Sequence, residues 1–151
     1  MRCWPGKQKV TGKHLGPLNL LAQELNATQY ALENAKRLGR GYGDLVVVLL
    51  EPSDKAELVP YDEMLASSVA LQFMDVSLHH ASRGRRNIHN TIVLDIRPFR
   101  SARIRSQQTS EEERSRDDEI AYKAFEGMLR LLNPDVILVC QCETEKNKAE
   151  N

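Results

Sequence analysis

The chain has 151 residues and a mass of 17.1 kDa, enough for one domain and too little for a large second one. Hydrophobic residues make up 41% and charged residues 28%, a balance that excludes a disordered chain. Lys+Arg and Asp+Glu each number 21, so the formal charge is zero, which excludes a strongly basic nucleic-acid tail and an acidic solvating protein.

Residues 17–38 read as one amphipathic helix, with Leu18, Leu21, Leu25, Leu32 and Ala35 recurring on one face. Pro17 suits its first turn, and Gly39, Gly41 and Gly43 supply the stop. Residues 45–50, Leu-Val-Val-Val-Leu-Leu, form a short apolar run without polar alternation, the pattern of a strand buried on both faces of a parallel sheet. Glu51-Pro52-Ser53-Asp54 ends it in a turn. A second helix is expected over residues 61–81, with Leu65, Val69, Phe73, Val76 and His80 at three- and four-residue steps and Pro60 just ahead of it.

Residues 91–96, Thr-Ile-Val-Leu-Asp-Ile, repeat the buried-strand pattern and stop at Pro98. Residues 101–116 are polar with little periodicity and read as a loop. A third helix is expected over 117–132, with Asp117, Asp118 and Glu119 at its positive end. Asn133-Pro134 halts it, and residues 135–140 give a third buried strand. The expected architecture is therefore α/β, a short, mostly parallel three-stranded sheet flanked by helices. Residues 1–142 form a single domain, with 1–16 irregular and 143–151 a polar tail.

No apolar run approaches the ~18 residues of a membrane span; the longest, residues 45–50, has six. Met1-Arg2-Cys3-Trp4-Pro5 lacks the apolar stretch of a signal peptide, and three cysteines cannot all pair. These features point to an intracellular, nuclear or cytoplasmic protein, with no membrane contact. Neither phosphate-cradling glycine motif is present, because Gly39-Arg40-Gly41-Tyr42-Gly43 precedes its strand. Adjacent His79 and His80 point to different helix faces, while Cys140 and Cys142 form one Cys-x-Cys pair where zinc wants two. No metal and no cofactor are expected.

Zero net charge conceals alternating blocks. Residues 1–40 carry +5, 41–82 carry −6, 83–106 carry +6, 107–126 carry −4 and 127–151 carry −1. In open parallel sheets, ligands bind beyond the carboxyl ends of the strands. That rule selects Glu51-Pro52-Ser53-Asp54, Asp95-Ile96-Arg97-Pro98-Phe99-Arg100 and Gln141-Cys142-Glu143. Glu51, Asp54 and Asp95 place carboxylates there for general-base work, although acids after strands also cap helices and solvate loops. Arg97, Arg100, Arg103 and Arg105 follow the second strand, and Arg83, Arg85 and Arg86 precede it. Such arginines suit phosphate oxygens. The acidic residues of 111–119 offer the competing use, pairing with them inside the molecule.

The layout resembles the uracil-DNA glycosylase-like superfamily over roughly residues 18–142. The run from Leu45 to Leu50 followed by Glu51-Pro52-Ser53-Asp54 takes the place of the family's first strand and water-activating loop. His89-Asn90-Thr91-Ile92-Val93-Leu94-Asp95-Ile96-Arg97-Pro98-Phe99 is similar to its middle, base-recognising element. The resemblance implies a glycosylase-like three-layer fold and a nucleic-acid partner. By it, Glu51 or Asp54 orients a water, Asp95 and Phe99 line a base pocket, and Arg97, Arg100 and Arg103, with Arg85 and Arg86, hold phosphates. Glu51 or Asp54 stands where the family's best-known loop has Gln-Asp, and Asp95 replaces the Asn that reads a uracil edge. A His-Pro loop has no counterpart before Asn151. The implied activity is accordingly a weak or absent DNA N-glycosylase in a truncated member of the family. Two other readings stand beside it: a non-enzymatic α/β domain whose charge blocks contact a protein partner, and a small nucleotide-binding α/β enzyme.

Overall fold

A computed structural model describes residues 10–140. Cys3, Cys142 and the 143–151 tail lie outside the described residues. Three strands, β1 (Tyr42–Leu49), β2 (Thr91–Asp95) and β3 (Val136–Val139), form one sheet in the order β2-β1-β3. Both pairings are parallel, with Val47 facing Val93 on one side and Leu138 on the other. The sheet is thus all-parallel and flanked by helices, an α/β fold. The helices are α1 (Gly16–Glu24), α2 (Gln29–Leu38), α3 (Tyr61–Ser67), α4 (Val69–Ala81), α5 (Ala102–Gln107) and α6 (Glu111–Leu132).

Alternation along β1 divides the core. Val46 and Val48 join Ile92 and Leu94 beneath α1 and α6, where Leu18, Leu21, Ala121 and Met128 are buried. Val47 and Val93 point the other way, packing with Leu38, Tyr61, Met64 and Leu71 from α2, α3 and α4. A parallel strand covered on both faces needs apolar residues at every position, which accounts for the unbroken run in β1. Gly41 lies so close to the Asn90 carbonyl that any Cβ would collide with it, and Tyr42 N–H donates to that same oxygen at 3.0 Å.

Several expectations require correction. The helix expected over 17–38 is two helices, because Asn26 adopts a left-handed φ of 51° and Thr28 starts α2 by accepting a hydrogen bond from Ala31 N–H at 3.1 Å. The helix expected over 61–81 breaks at Ser68, whose backbone is extended and whose hydroxyl accepts from Leu71 N–H at 3.3 Å. The loop expected over 101–116 contains α5 and the start of α6, each opened by a serine cap: Ser101 accepts from Ile104 N–H and Ser110 from Glu113 N–H. Finally, the periodic stripe of the second helix lies mostly outside the core. Val69, Phe73 and Val76 are exposed, as is His80, and α4 is anchored by Leu71 and Leu78 instead. β3, expected to be buried, is exposed at all four positions. Helix periodicity marks an apolar stripe without saying whether this chain supplies its cover.

The 1–16 region is not irregular throughout. His14 and Leu15 sit in a buried 3-10 turn, and α1 begins at Gly16. His14 Nε2 lies 2.6 Å from the Gly39 carbonyl; since a carbonyl only accepts, Nε2 carries the proton. Burial pushes the His14 pKa below its ordinary value, against the opposing pull of that hydrogen bond. No described helix is long and apolar enough to cross a membrane.

Candidate functional site

Beyond the carboxyl ends of β1 and β2 lies a cleft of about 260 Å³. Leu49, Glu51, Pro52 and Ser53 leave β1 along one wall, Asp95 closes β2 on another, and α2, Met64 and Ser68 complete it. Parallel pairing produces this convergence: Leu49 faces Asp95 in the ladder, and the Ile96 and Arg97 N–H groups donate to the Leu49 and Leu50 carbonyls at 2.9 Å each. Asn34 fixes the opposite wall, its amide donating to the Ala56 and Val59 carbonyls at 2.8 and 3.0 Å. The segment after β1 is thereby tied to α2.

Asp95 is the chemically unusual group. It is buried, and its Oδ1 has no hydrogen-bond partner among the described residues. Burial, reinforced by the nearby Glu51 charge, pushes its pKa up to about 7. A carboxyl in that state is present in both protonation forms near neutrality, able to donate or to accept. Ser53 Oγ, from another residue of the same cleft, is also buried without a partner. Glu51 is held by Arg97, whose Nη2 donates to Oε2 at 3.0 Å. Two carboxyl groups thus share one cleft in different surroundings, the arrangement from which acid and base roles separate.

The other site residues expected from sequence are distributed differently. Asp54 is absent from the cleft lining and accepts from Arg103 N–H at 3.2 Å. Phe99 is buried in the core beneath α1 and α6, and it lines a separate cavity of about 50 Å³ that shares Pro52, Ser53 and Pro98 with the main cleft. Phe99 is thus absent from the cleft that Asp95 lines.

The arginines fall into two groups at opposite ends of β2. Arg86 precedes the strand, buried and ion-paired with fully buried Asp44, its guanidinium 4.7 Å from the Tyr42 ring centroid. Arg85, beside it, is exposed. After the strand, Arg97 reaches Glu51 and, at 3.9 Å, Asp118; Arg100 pairs with Asp117 at 2.9 Å; Arg103 pairs with Glu57; and Arg105 pairs with Asp118 at 2.5 Å. The acidic start of α6 neutralises much of the basic segment, the competing use recognised from sequence. Asn34 and Ser68 are the polar cleft residues that sequence reasoning missed. Asn34 carried a signal, being a polar residue on the buried face of α2 with Ala31 and Leu38.

No protein-family model, no curated protein and no solved structure matches the chain.

Proposed function

We propose that this domain binds a nucleobase in the cleft beyond the carboxyl ends of β1 and β2, as a glycosylase-like nucleic-acid module of weak base-excision capacity. The observation that carries this reading is Asp95: a buried carboxyl with a pKa of about 7 and an unpartnered oxygen, lining a cavity of about 260 Å³. A flipped base offers polar edges that such a carboxyl can match as donor or acceptor, between apolar walls. In hydrolysis, Glu51 would take a proton from a water whose oxygen attacks the sugar C1′. The C1′–N bond would break, and protonated Asp95 would deliver a proton to the departing base. The proton gained by Glu51 returns to Asp95 through solvent.

The ion pairs of Arg97, Arg100 and Arg103 support a second reading, a small α/β enzyme acting on a free nucleoside, because any phosphate must compete with carboxylates already in place. Both readings are tested by following base release from a uracil-containing single-stranded oligonucleotide and from free uridine. Glu51→Gln is expected to lower release at least 100-fold, whereas Asp54→Ala leaves it within about threefold. Equal rates in wild type and Glu51→Gln would contradict the role given to Glu51. Turnover of uridine alone would favour the small-molecule reading.

A further inference from the structure

Among the described residues β2 and β3 both lie at edges of the sheet, yet all five residues of β2 are buried and all four of β3 are 45–60% exposed. Beside β3, α4 presents Val69, Phe73 and Val76 at 80, 74 and 68% exposure, a helical stripe turned to solvent. Between them lies an almost entirely apolar cavity of about 350 Å³, walled by Val47 and Leu138 of the sheet and by Phe73, Met74 and Leu78 of α4. An open edge strand adjoining an apolar surface is a template for another strand.

We propose that this face joins a second copy of the chain, β3 pairing antiparallel with β3 of its partner to make one six-stranded sheet. A two-fold axis normal to the sheet relates the copies, so α4 and its partner's α4 lie on the same side and their Val69–Phe73–Val76 stripes meet. Such an interface must be self-complementary, and this one is: residues 136–140 and the stripe on α4 carry no charge, so like charges do not oppose each other across the axis. Asp75, the acid nearest the stripe in sequence, is occupied, accepting from Ile88 N–H at 2.8 Å. The exposed apolar surface of β3 and the stripe sets a ceiling on the order of 650 Å² per copy, or about 1,300 Å² in all, at the lower end of specific interfaces.

Sedimentation of the full chain from low to high micromolar concentration tests the proposal. The expected particle at high concentration has twice the 17.1 kDa chain mass. Phe73→Glu and Val139→Lys should each weaken association at least tenfold while leaving the circular dichroism spectrum unchanged. Should Val139→Lys fail to fold, Phe73→Glu still tests the face from a largely exposed position. Amide exchange on the unmodified chain provides an independent readout, with protection of residues 136–139 expected to rise with concentration. A 17.1 kDa particle at every concentration would overturn the proposal. So would a dimer that neither substitution weakens, or a dimer in which β3 is no better protected than in the monomeric Phe73→Glu chain.

Discussion

At the scale of single residues, Asp95 and His14 bend the pH dependence of stability in opposite directions. Asp95 ionises near 3.8 in the unfolded chain and at about 7 in the folded one. Between those values the folded chain holds a proton that the unfolded chain has lost, so stability declines as pH rises from about 4 to about 7. His14 has its folded pKa depressed below 6.5, so its contribution is present above that pH and is lost as pH falls. Replacing Asp95 by Asn removes the first effect and leaves the second. The stability of Asp95→Asn relative to wild type, from urea unfolding at successive pH values, should therefore increase by a few kcal/mol between pH 4 and pH 8. A constant difference would show that Asp95 ionises normally in the folded chain. Arg86 and Asp44 make a contrasting prediction. Removing Arg86 strands a fully buried carboxylate, and Arg86→Ala should cost about 3–5 kcal/mol, whereas Arg130→Ala, at an exposed pair with Glu126, should cost no more than about 0.5 kcal/mol. Similar losses in the two variants would contradict the burial of the Asp44 pair.

Among the elements, the helix boundaries are set by small polar residues that a reading based on apolar periodicity passes over. Thr28, Ser68, Ser101 and Ser110 each accept a hydrogen bond from the backbone N–H three residues on, opening α2, α4, α5 and α6. Ser110 with Glu113 even carries the spacing of a capping box, yet the charged, weakly apolar run from 101 to 116 reads as loop. Ser110→Ala should lower stability by about 1 kcal/mol in urea unfolding, with the greatest rise in amide exchange in the first turn of α6. An unchanged exchange rate there would mean that the Glu111–Glu113 turn is held by other contacts. The strands were easier to read. Three apolar runs, separated by helical patterns, specify a parallel sheet because crossovers leave few alternatives. Burial of β3 was misread for a definable reason: an apolar run states what a strand requires on its faces, and its neighbours decide whether the requirement is met.

Over the whole molecule, the alternating charge blocks fold against one another, so neutrality in composition becomes neutrality in contact. Arg100 and Arg105 meet Asp117 and Asp118 of the following acidic block, and Arg97 and Arg103 meet Glu51 and Glu57 of the preceding one. What this leaves at the carboxyl rim of the sheet is a cleft with two carboxyl groups. Glu51 and Asp95 were legible only as two of three acids, with Asp54, that the rule of chemistry at the carboxyl rim selects, and the fold leaves Asp54 out of the cleft. Asn34 and Ser68 were not legible, since they reach the cleft from elements whose placement only packing decides, and the same packing keeps Phe99 out of the cleft that Asp95 lines. The claim at the centre of this account is that Asp95, in its protonated form, recognises a base. Calorimetric titration of a uracil-containing single-stranded oligonucleotide at pH 6 and pH 8 tests it most directly, using wild type and Asp95→Asn. The expected result is saturable binding by wild type, several-fold tighter at pH 6, and binding by Asp95→Asn that is the same at both values. Binding by wild type that ignores pH, or no binding at either pH, would contradict the claim.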